Sequence, residues 1–182
     1  MTASVFTFGH GTAGPDEIAS LLHGAGVQRL VDVRSAPGSR HNPDSAREAM
    51  ARWLPEAGID YQWERRLGGW RRAPKGSPES PDVGLRVASF RSYAGYMRTP
   101  EFAAAIDDLL VTAGRQQIAV MCAETVWWRC HRRMIADYLT LVRGVEVRHL
   151  MHDGNLRPHR PIPEARRDGD VLIYDGTAKD TL

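Results

Sequence analysis

Residues Ser4–Val33 read SVFTFGHGTAGPDEIASLLHGAGVQRLVDV, and their pattern decides the fold class. Ser4–Phe8 alternates and is rich in β-prone residues, which predicts a strand that stops at Gly9. Pro15 and the two acids after it predict the start of a helix, whose apolar residues recur at helical spacing. Arg29–Val33 predicts a second strand. This order indicates two parallel strands joined by a right-handed crossover.

The rest of the chain continues the alternation of strands and helices. Helices are predicted from about Asp44 to Ala57, from Thr99 to Gly114 and from about Cys130 to Val142. Strands are predicted at Ile59–Trp63, Gln117–Cys122, Val145–Leu150 and Val171–Tyr174. Gln117–Cys122 is the most apolar of them and is expected at the centre of the sheet. The pattern predicts an α/β fold: a three-layer, mostly parallel sheet with helices on both faces, Rossmann-like.

The length of 182 residues suits one domain, so residues 1–182 are predicted to form a single α/β domain. Two parts of the chain depart from the alternation. Leu67–Arg91 is rich in Gly, Pro, Ser and Arg and is long for a connection, which indicates a functional or mobile loop. Residues 151–182 are read as an extended C-terminal tail, rich in Pro and Arg.

Composition limits the class of protein and its compartment. A net charge of +2 is too small to argue for nucleic acid, but Lys75 and Lys179 are the only lysines among the 24 basic residues. An excess of Arg favours an anionic ligand, because Arg donates bidentately to phosphates and carboxylates, although GC-rich coding gives the same excess. The chain shows neither a signal peptide nor an apolar run of membrane length, so we expect a cytoplasmic protein with no membrane partner. In that compartment Cys122 and Cys130 are expected as thiols.

Polar residues follow three of the predicted strands. Ligands of such sheets bind outside the carboxyl ends of the strands. His10 follows the first strand, Asp32 and Arg34 close the second, and Cys122 and Glu124 end the most apolar one. These side chains are therefore expected at one edge of the sheet.

Cys122–Arg132 reads CAETVWWRCHR and joins a strand end to a helix start. A helix start favours anions and lowers the pKa of a nearby thiol. In one interpretation Cys122 or Cys130 is a nucleophilic or redox thiolate. The arrangement resembles the loop of cysteine phosphatases and sulfurtransferases, in which five residues separate Cys and Arg. Here six residues separate Cys122 from Arg129, and two tryptophans stand where such loops carry glycines.

Two other interpretations of this stretch stay open. Cys122, Cys130 and His131, with Glu124 or His10, could bind a metal. Adjacent residues on a helix point about 100° apart, which is poor geometry for one ion, so no metal and no cofactor is predicted. Alternatively, the cysteines pack in the core while the Arg and His groups bind an anion or one another.

A series of short motifs, each present once, follows in a fixed order from about Phe8 to about Leu150. They are Thr7–Gly11, Leu30–Arg34, Pro37–Arg40, Asn42-Pro43, Ala57–Ile59, Leu67–Gly69, Tyr93–Met97, Thr99–Phe102, Met121–Glu124, Cys130–Arg132 and Gly144–Val147. In this order they resemble a bacterial and archaeal family, Domain of Unknown Function 488. Val126-Trp127 departs from the pattern, since many members carry an acid and a proline there. The resemblance implies an α/β domain and the same polar groups, and it implies no reaction.

The working hypothesis is a pocket for a phosphate or nucleotide-like anion. The residues predicted to bind the ligand are Asp32, Arg34, Arg40 and Arg132. The residues predicted to be catalytic are Cys122 as the reactive thiol, with Glu124, His10 and His131 moving protons. The loop Leu67–Arg91 would close over the pocket. A structural salt bridge of Asp32 and a turn-capping role of His10 explain the same residues, so the sequence leaves open whether the chain is an enzyme.

The alternative is a nucleic-acid-binding module without catalysis. The residues that suggest it are Trp63, Trp70, Trp127 and Trp128 with Arg65, Arg66, Arg71 and Arg72. Such a set resembles surfaces that stack bases and hold phosphates, although aromatic residues also simply anchor loops. A third reading is a structural or regulatory interaction protein that keeps the pocket for stability.

Overall fold

The central feature of the computed structural model, which describes residues 3–38 and 40–177, is a six-stranded sheet. Its strands are β1 (Ser4–Gly9), β2 (Arg29–Asp32), β3 (Asp60–Trp63), β4 (Ile118–Cys122), β5 (Glu146–Leu150) and β6 (Leu156–Pro158). They lie in the order β3-β2-β4-β1-β5-β6; the first five are parallel, and β6 runs antiparallel to β5 at one edge. Two further strands, β7 (Ala165–Asp168) and β8 (Val171–Tyr174), form a separate antiparallel pair.

Five α-helices connect or flank the strands within the described residues. They are α1 (Pro15–Gly24), α2 (Arg47–Glu56), α3 (Ala88–Tyr96), α4 (Pro100–Ala113) and α5 (Arg132–Leu141). The sequence explains several of their ends. Pro15 and Pro100 open α1 and α4, and the Thr99 hydroxyl accepts a hydrogen bond from the backbone N–H of Phe102. Short 3₁₀ turns lie at Pro43–Ser45, Arg65–Leu67 and Trp127–Arg129.

Two buried apolar clusters hold these elements together. Along β4, Ile118 and Val120 belong to one cluster, while Ala119 and Met121 belong to the other. The first cluster also contains residues of α3, α4 and α5, and the second contains residues of α1 and α2. Because successive side chains of a strand point to opposite faces, each set of helices packs on its own side of β4.

The structure confirms an α/β fold with a mostly parallel sheet. All five residues of β4 are buried, and the strand lies between β2 and β1 inside the sheet, as predicted. The helix predicted from about Cys130 begins at Arg132 instead. The sequence pattern did not predict α3, which begins inside the predicted loop Leu67–Arg91 and extends beyond it, nor β6 and β7 in the tail. No helix in the described part of the chain has the length and apolarity to cross a membrane.

Candidate functional site

A cavity of about 550 Å³ opens at the carboxyl ends of β1, β2 and β4. Five of the eight predicted site residues line it: His10, Arg34, Cys122, Glu124 and His131. Loops add further lining residues, among them Ser35, Gly38, Gly69, Trp70, Phe90 and Arg129. The structure therefore brings together side chains that the strand-end rule predicted as neighbours. Asp32, Arg40 and Arg132 do not line the cavity.

Two thiols and an imidazole form a line at the wall of this cavity. Cys122 and Cys130 are both free and buried, and their Sγ atoms lie 2.7 Å apart. The Cys130 Sγ also lies 3.4 Å from Nδ1 of His131. Nε2 of His131 lies 3.0 Å from the carbonyl oxygen of Val33, which only accepts, so Nε2 carries the proton and Nδ1 is an acceptor. The line thus ends on a nitrogen that can accept a hydrogen bond.

The surroundings favour the thiolate at Cys122 and the thiol at Cys130. Burial alone would raise the pKa of Cys122, but the hydrogen bond from Cys130 and the positive charge of Arg132 lower it below its ordinary value. The hydrogen bond to Cys122, together with burial, holds the pKa of Cys130 well above the ordinary value. Cys130 therefore keeps its proton and donates it to the sulfur of Cys122.

Arg132 is a buried cation that no carboxylate of residues 3–38 and 40–177 pairs with. Its side chain is at the start of α5, and the residue is 1% exposed. One terminal nitrogen donates to the carbonyl oxygens of Glu124 and Thr125 at 3.0 and 3.4 Å, while Nε has no partner in the described part of the chain. A buried charge left unpaired costs several kcal/mol. The positive charge of this guanidinium is in turn one of the causes that lower the pKa of Cys122.

A second network surrounds Arg34, which also lines the cavity. Arg34 grips the carboxylate of Asp32 with Nε and a terminal nitrogen, at 2.8 and 2.6 Å, and Tyr61 donates to the same carboxylate at 2.5 Å. The other terminal nitrogen of Arg34 lies 3.2 Å from Nε2 of His10. Nδ1 of His10 donates to the carbonyl oxygen of Gly11, so Nε2 accepts from Arg34. Burial, and then the charge of Arg34, lower the pKa of His10, which is therefore neutral.

The remaining predicted residues differ in their exposure. Burial lowers the pKa of His131 to about 4, so this ring is neutral as well. Glu124 is exposed and its carboxylate makes no hydrogen bond within the described residues, whereas its backbone carbonyl holds Arg132. Arg40 is exposed, outside the cavity. No group of three or more His, Cys, Asp or Glu side chains with the arrangement of a metal site occurs among residues 3–38 and 40–177.

Two contributors to the site were not found from the sequence. Tyr61 reaches Asp32 because β3 lies beside β2, and strand order has no signal in one sequence. Ser35 accepts a hydrogen bond from the backbone N–H of Trp70 at 2.8 Å, which fixes the start of the loop against the cavity. The only feature of the sequence that could have pointed to Ser35 is its position directly after Arg34.

The fold and the site define a class: α/β proteins with a pair of thiols at the carboxyl edge of a parallel sheet. Residues 14–139 match the family model described as Domain of unknown function DUF488, so the chain belongs to that family. The resemblance seen in the sequence is thereby confirmed. The matched segment contains both cysteines and both buried arginines, and His10 lies just before it. Neither the curated proteins nor the solved structures include a match to this chain.

Proposed function

We propose that Cys122 acts as a thiolate nucleophile on a small anionic ligand, phosphate or nucleotide-like, that binds in the 550 Å³ cavity. The fold that presents it is, in this proposal, a Rossmann-like sheet of three layers. The observation that carries the proposal is the buried guanidinium of Arg132, which has no carboxylate partner among the described residues and whose charge lowers the pKa of the Cys122 thiol. A thiolate is the reactive form of cysteine, so the same pairing stabilises the interior and activates the sulfur.

The predicted anion-binding arginines divide into different tasks. Arg34 forms a salt bridge with Asp32, and the charge of Arg132 lowers the pKa of Cys122. Arg129 is exposed and lines the cavity, and its guanidinium has no carboxylate partner in the described chain. In this proposal Arg129 attracts the ligand's negative charge, and Arg34 shapes another part of the cavity wall.

Glu124 is the residue with the freedom to move protons in this arrangement. Its carboxylate is exposed at the cavity, whereas His10 and His131 are neutral rings, each held by a hydrogen bond to a backbone carbonyl. The proposal therefore assigns proton transfer to and from the ligand to Glu124. His10 and His131 position Arg34 and Cys130.

Alkylation of the native protein by iodoacetamide, followed by peptide mass spectrometry, tests the thiolate. At pH 7 we expect Cys122 to be labelled at least about tenfold faster than Cys130, because only the thiolate reacts. Arg132→Met should slow the labelling of Cys122 about tenfold, and Arg133→Met, the neighbouring arginine, serves as the matched control. Inorganic phosphate should protect Cys122, and Arg129→Ala should weaken that protection. Equal, slow labelling of both thiols would overturn the proposal.

The second candidate function is the nucleic-acid-binding module. Trp70 and Trp128 are 80% and 47% exposed, which favours base stacking. Other members of the suspected surface are committed to the protein. Trp127 stacks on His149 with ring centroids 4.1 Å apart, and the guanidinium of Arg71 lies 3.7 Å from the ring centroid of Tyr96. Salt-dependent binding of single-stranded oligonucleotides by the native chain would favour this candidate.

A further inference from the structure

We infer that Cys130 is the resolving thiol of a dithiol–disulfide couple with Cys122, and that small organic disulfides are its substrates. The inference rests on the thiolate proposed above and adds a second step to it. Its basis is the contact between the two Sγ atoms at 2.7 Å, which leaves about 0.7 Å to the bond length of a disulfide. Both residues are free cysteines, so the reduced form of the couple is the one described.

The cavities show how a substrate reaches the two sulfurs. Cys122 and Cys130 line the large cavity, and Cys130 also lines a second cavity of about 260 Å³. Phe90 is likewise shared by both cavities, so the ring and the Cys130 thiol form the partition between them. A group attached to Cys122 is therefore held in the large cavity, directly beside the sulfur of Cys130.

In the first step the thiolate of Cys122 attacks one sulfur of a disulfide R–S–S–R. The bond between the two substrate sulfurs breaks, and one R–S⁻ leaves and takes a proton from water. Cys122 is now joined to the other half as a mixed disulfide. Thiol–disulfide exchange proceeds through such an intermediate.

In the second step the loss of negative charge on Cys122 activates Cys130. The pKa of Cys130 is raised first by its hydrogen bond to Cys122 and also by burial and by the Cys122 charge. Two of these three influences depend on the thiolate and end when Cys122 is capped. Nδ1 of His131, 3.4 Å from the Cys130 sulfur, is then the acceptor that remains for a hydrogen bond from the Cys130 thiol and holds it in place.

The sulfur of Cys130 attacks the Cys122 sulfur of the mixed disulfide and releases the second half as R–S⁻. That thiolate takes the proton that Cys130 gives up. The two cysteines have lost two electrons, the substrate has gained them as two molecules of R–SH, and Cys122 and Cys130 share a disulfide. The order of events is built into the site, because Cys130 stays protonated until Cys122 has reacted.

Intact-mass spectrometry of the reduced native chain with hydroxyethyl disulfide tests the couple. The wild type should become lighter by two hydrogens, with only a transient mixed disulfide. Cys130→Ser should stop at the mixed disulfide on Cys122 and keep it at least about tenfold longer. Cys122→Ser should react at least about tenfold more slowly than the wild type. The urea-unfolded wild type is the matched control and should form the internal disulfide at least about tenfold more slowly.

The outcomes separate this inference from the proposed function. A wild type that accumulates the mixed disulfide as long as Cys130→Ser does would show that Cys130 does not resolve it, while Cys122 remains the nucleophile. A wild type inert to the disulfide but rapidly alkylated by iodoacetamide would also overturn the couple and leave the proposed function intact. If both reagents react slowly, the two fail together. An unfolded chain that closes the disulfide as fast as the native one would overturn the role of the native geometry.

Discussion

Gly69 packs so closely against the ring of His131 that position 69 has no space for a side chain. A methyl group on Gly69 would lie 2.6 Å from Nδ1 of His131, far inside van der Waals contact. His131 cannot swing aside easily, because its other nitrogen is bonded to Val33 and its ring packs edge-on against Tyr93 at 5.1 Å. The position therefore demands glycine for space. Its backbone conformation imposes no such demand.

Gly69→Ala is expected to lower the free energy of unfolding by about 1–3 kcal/mol, the usual cost of overpacking. Urea denaturation followed by circular dichroism measures it. Gly38→Ala is the matched control, since Gly38 also lines the cavity and an added methyl group there meets nothing within 4 Å. Equal stability of the two variants would mean that the His131 ring is free to move.

For single residues, the sequence predicted which side chains line the cavity better than it predicted what each of them does there. His10, Arg34, Cys122 and His131 were found because parallel strands end at one edge. Their tasks depend on which partner lies nearest, and a single sequence does not specify that. Arg132 is the example, since its type and position suggested a ligand for an external anion, and only its burial and the adjacent sulfur suggest an internal one.

At the scale of elements, one carboxylate on α5 holds the end of the described chain. Asp137 accepts from Nε2 of His159 at 2.7 Å, from the backbone N–H of Ile162 at 3.1 Å and from the hydroxyl of Tyr174 at 3.0 Å. Nδ1 of His159 lies in turn 2.9 Å from His149 on β5. These bonds join α5 to β5, to the segment before β7 and to β8.

Asp137→Asn is expected to destabilise the protein by about 2–4 kcal/mol, because it leaves buried donors facing an amide that is itself a donor. Thermal or urea unfolding measures the loss. Asp107→Asn is the control: Asp107 pairs with Arg143 at the exposed surface, where ion pairs contribute little. A loss no greater than that of the control would show that β7 and β8 are held by apolar packing alone.

The elements that the sequence did not predict, α3, β6 and β7, are stabilised by contacts between residues that are distant in the sequence. β6 and β7 have three and four residues, too few for a hydrophobic period to be visible. α3 carries little local signal, and its Tyr93 is buried because its hydroxyl bonds to Leu67 and its ring packs on Phe102. By contrast, α1, α4 and β4 were predicted closely, since end signals or an apolar run marked each of them.

For the whole molecule, the buried histidines make stability depend on pH. Burial is the largest cause that lowers the pKa of His131 to about 4 and of His149 to about 3, and His159 and nearby arginines add to the second shift. In the unfolded chain each imidazole has a pKa near 6.5. The unfolded state thus binds more protons below about pH 6.5, and stability falls as the pH is lowered from there toward 4.

The free energy of unfolding should fall by up to about 1.4 kcal/mol per pH unit for each of these histidines between pH 6 and 4.5. Urea titrations at several pH values measure this slope. His149→Gln removes one titrating group, so it should reduce this slope by up to about 1.4 kcal/mol per pH unit, even if the variant is less stable at pH 7. A slope unchanged by that substitution would contradict the assignment of His149 as a neutral buried ring.

If Cys122 acts as the thiolate of the proposed function, the charge of Arg132 also sets the lifetime of any adduct. When Cys122 forms a covalent bond with a ligand, its sulfur loses its negative charge, and the guanidinium of Arg132 is left unbalanced in the interior. Expulsion of the sulfur would restore that balance, so the proposed nucleophile would also be a good leaving group. The architecture favours intermediates that break down quickly over adducts that persist.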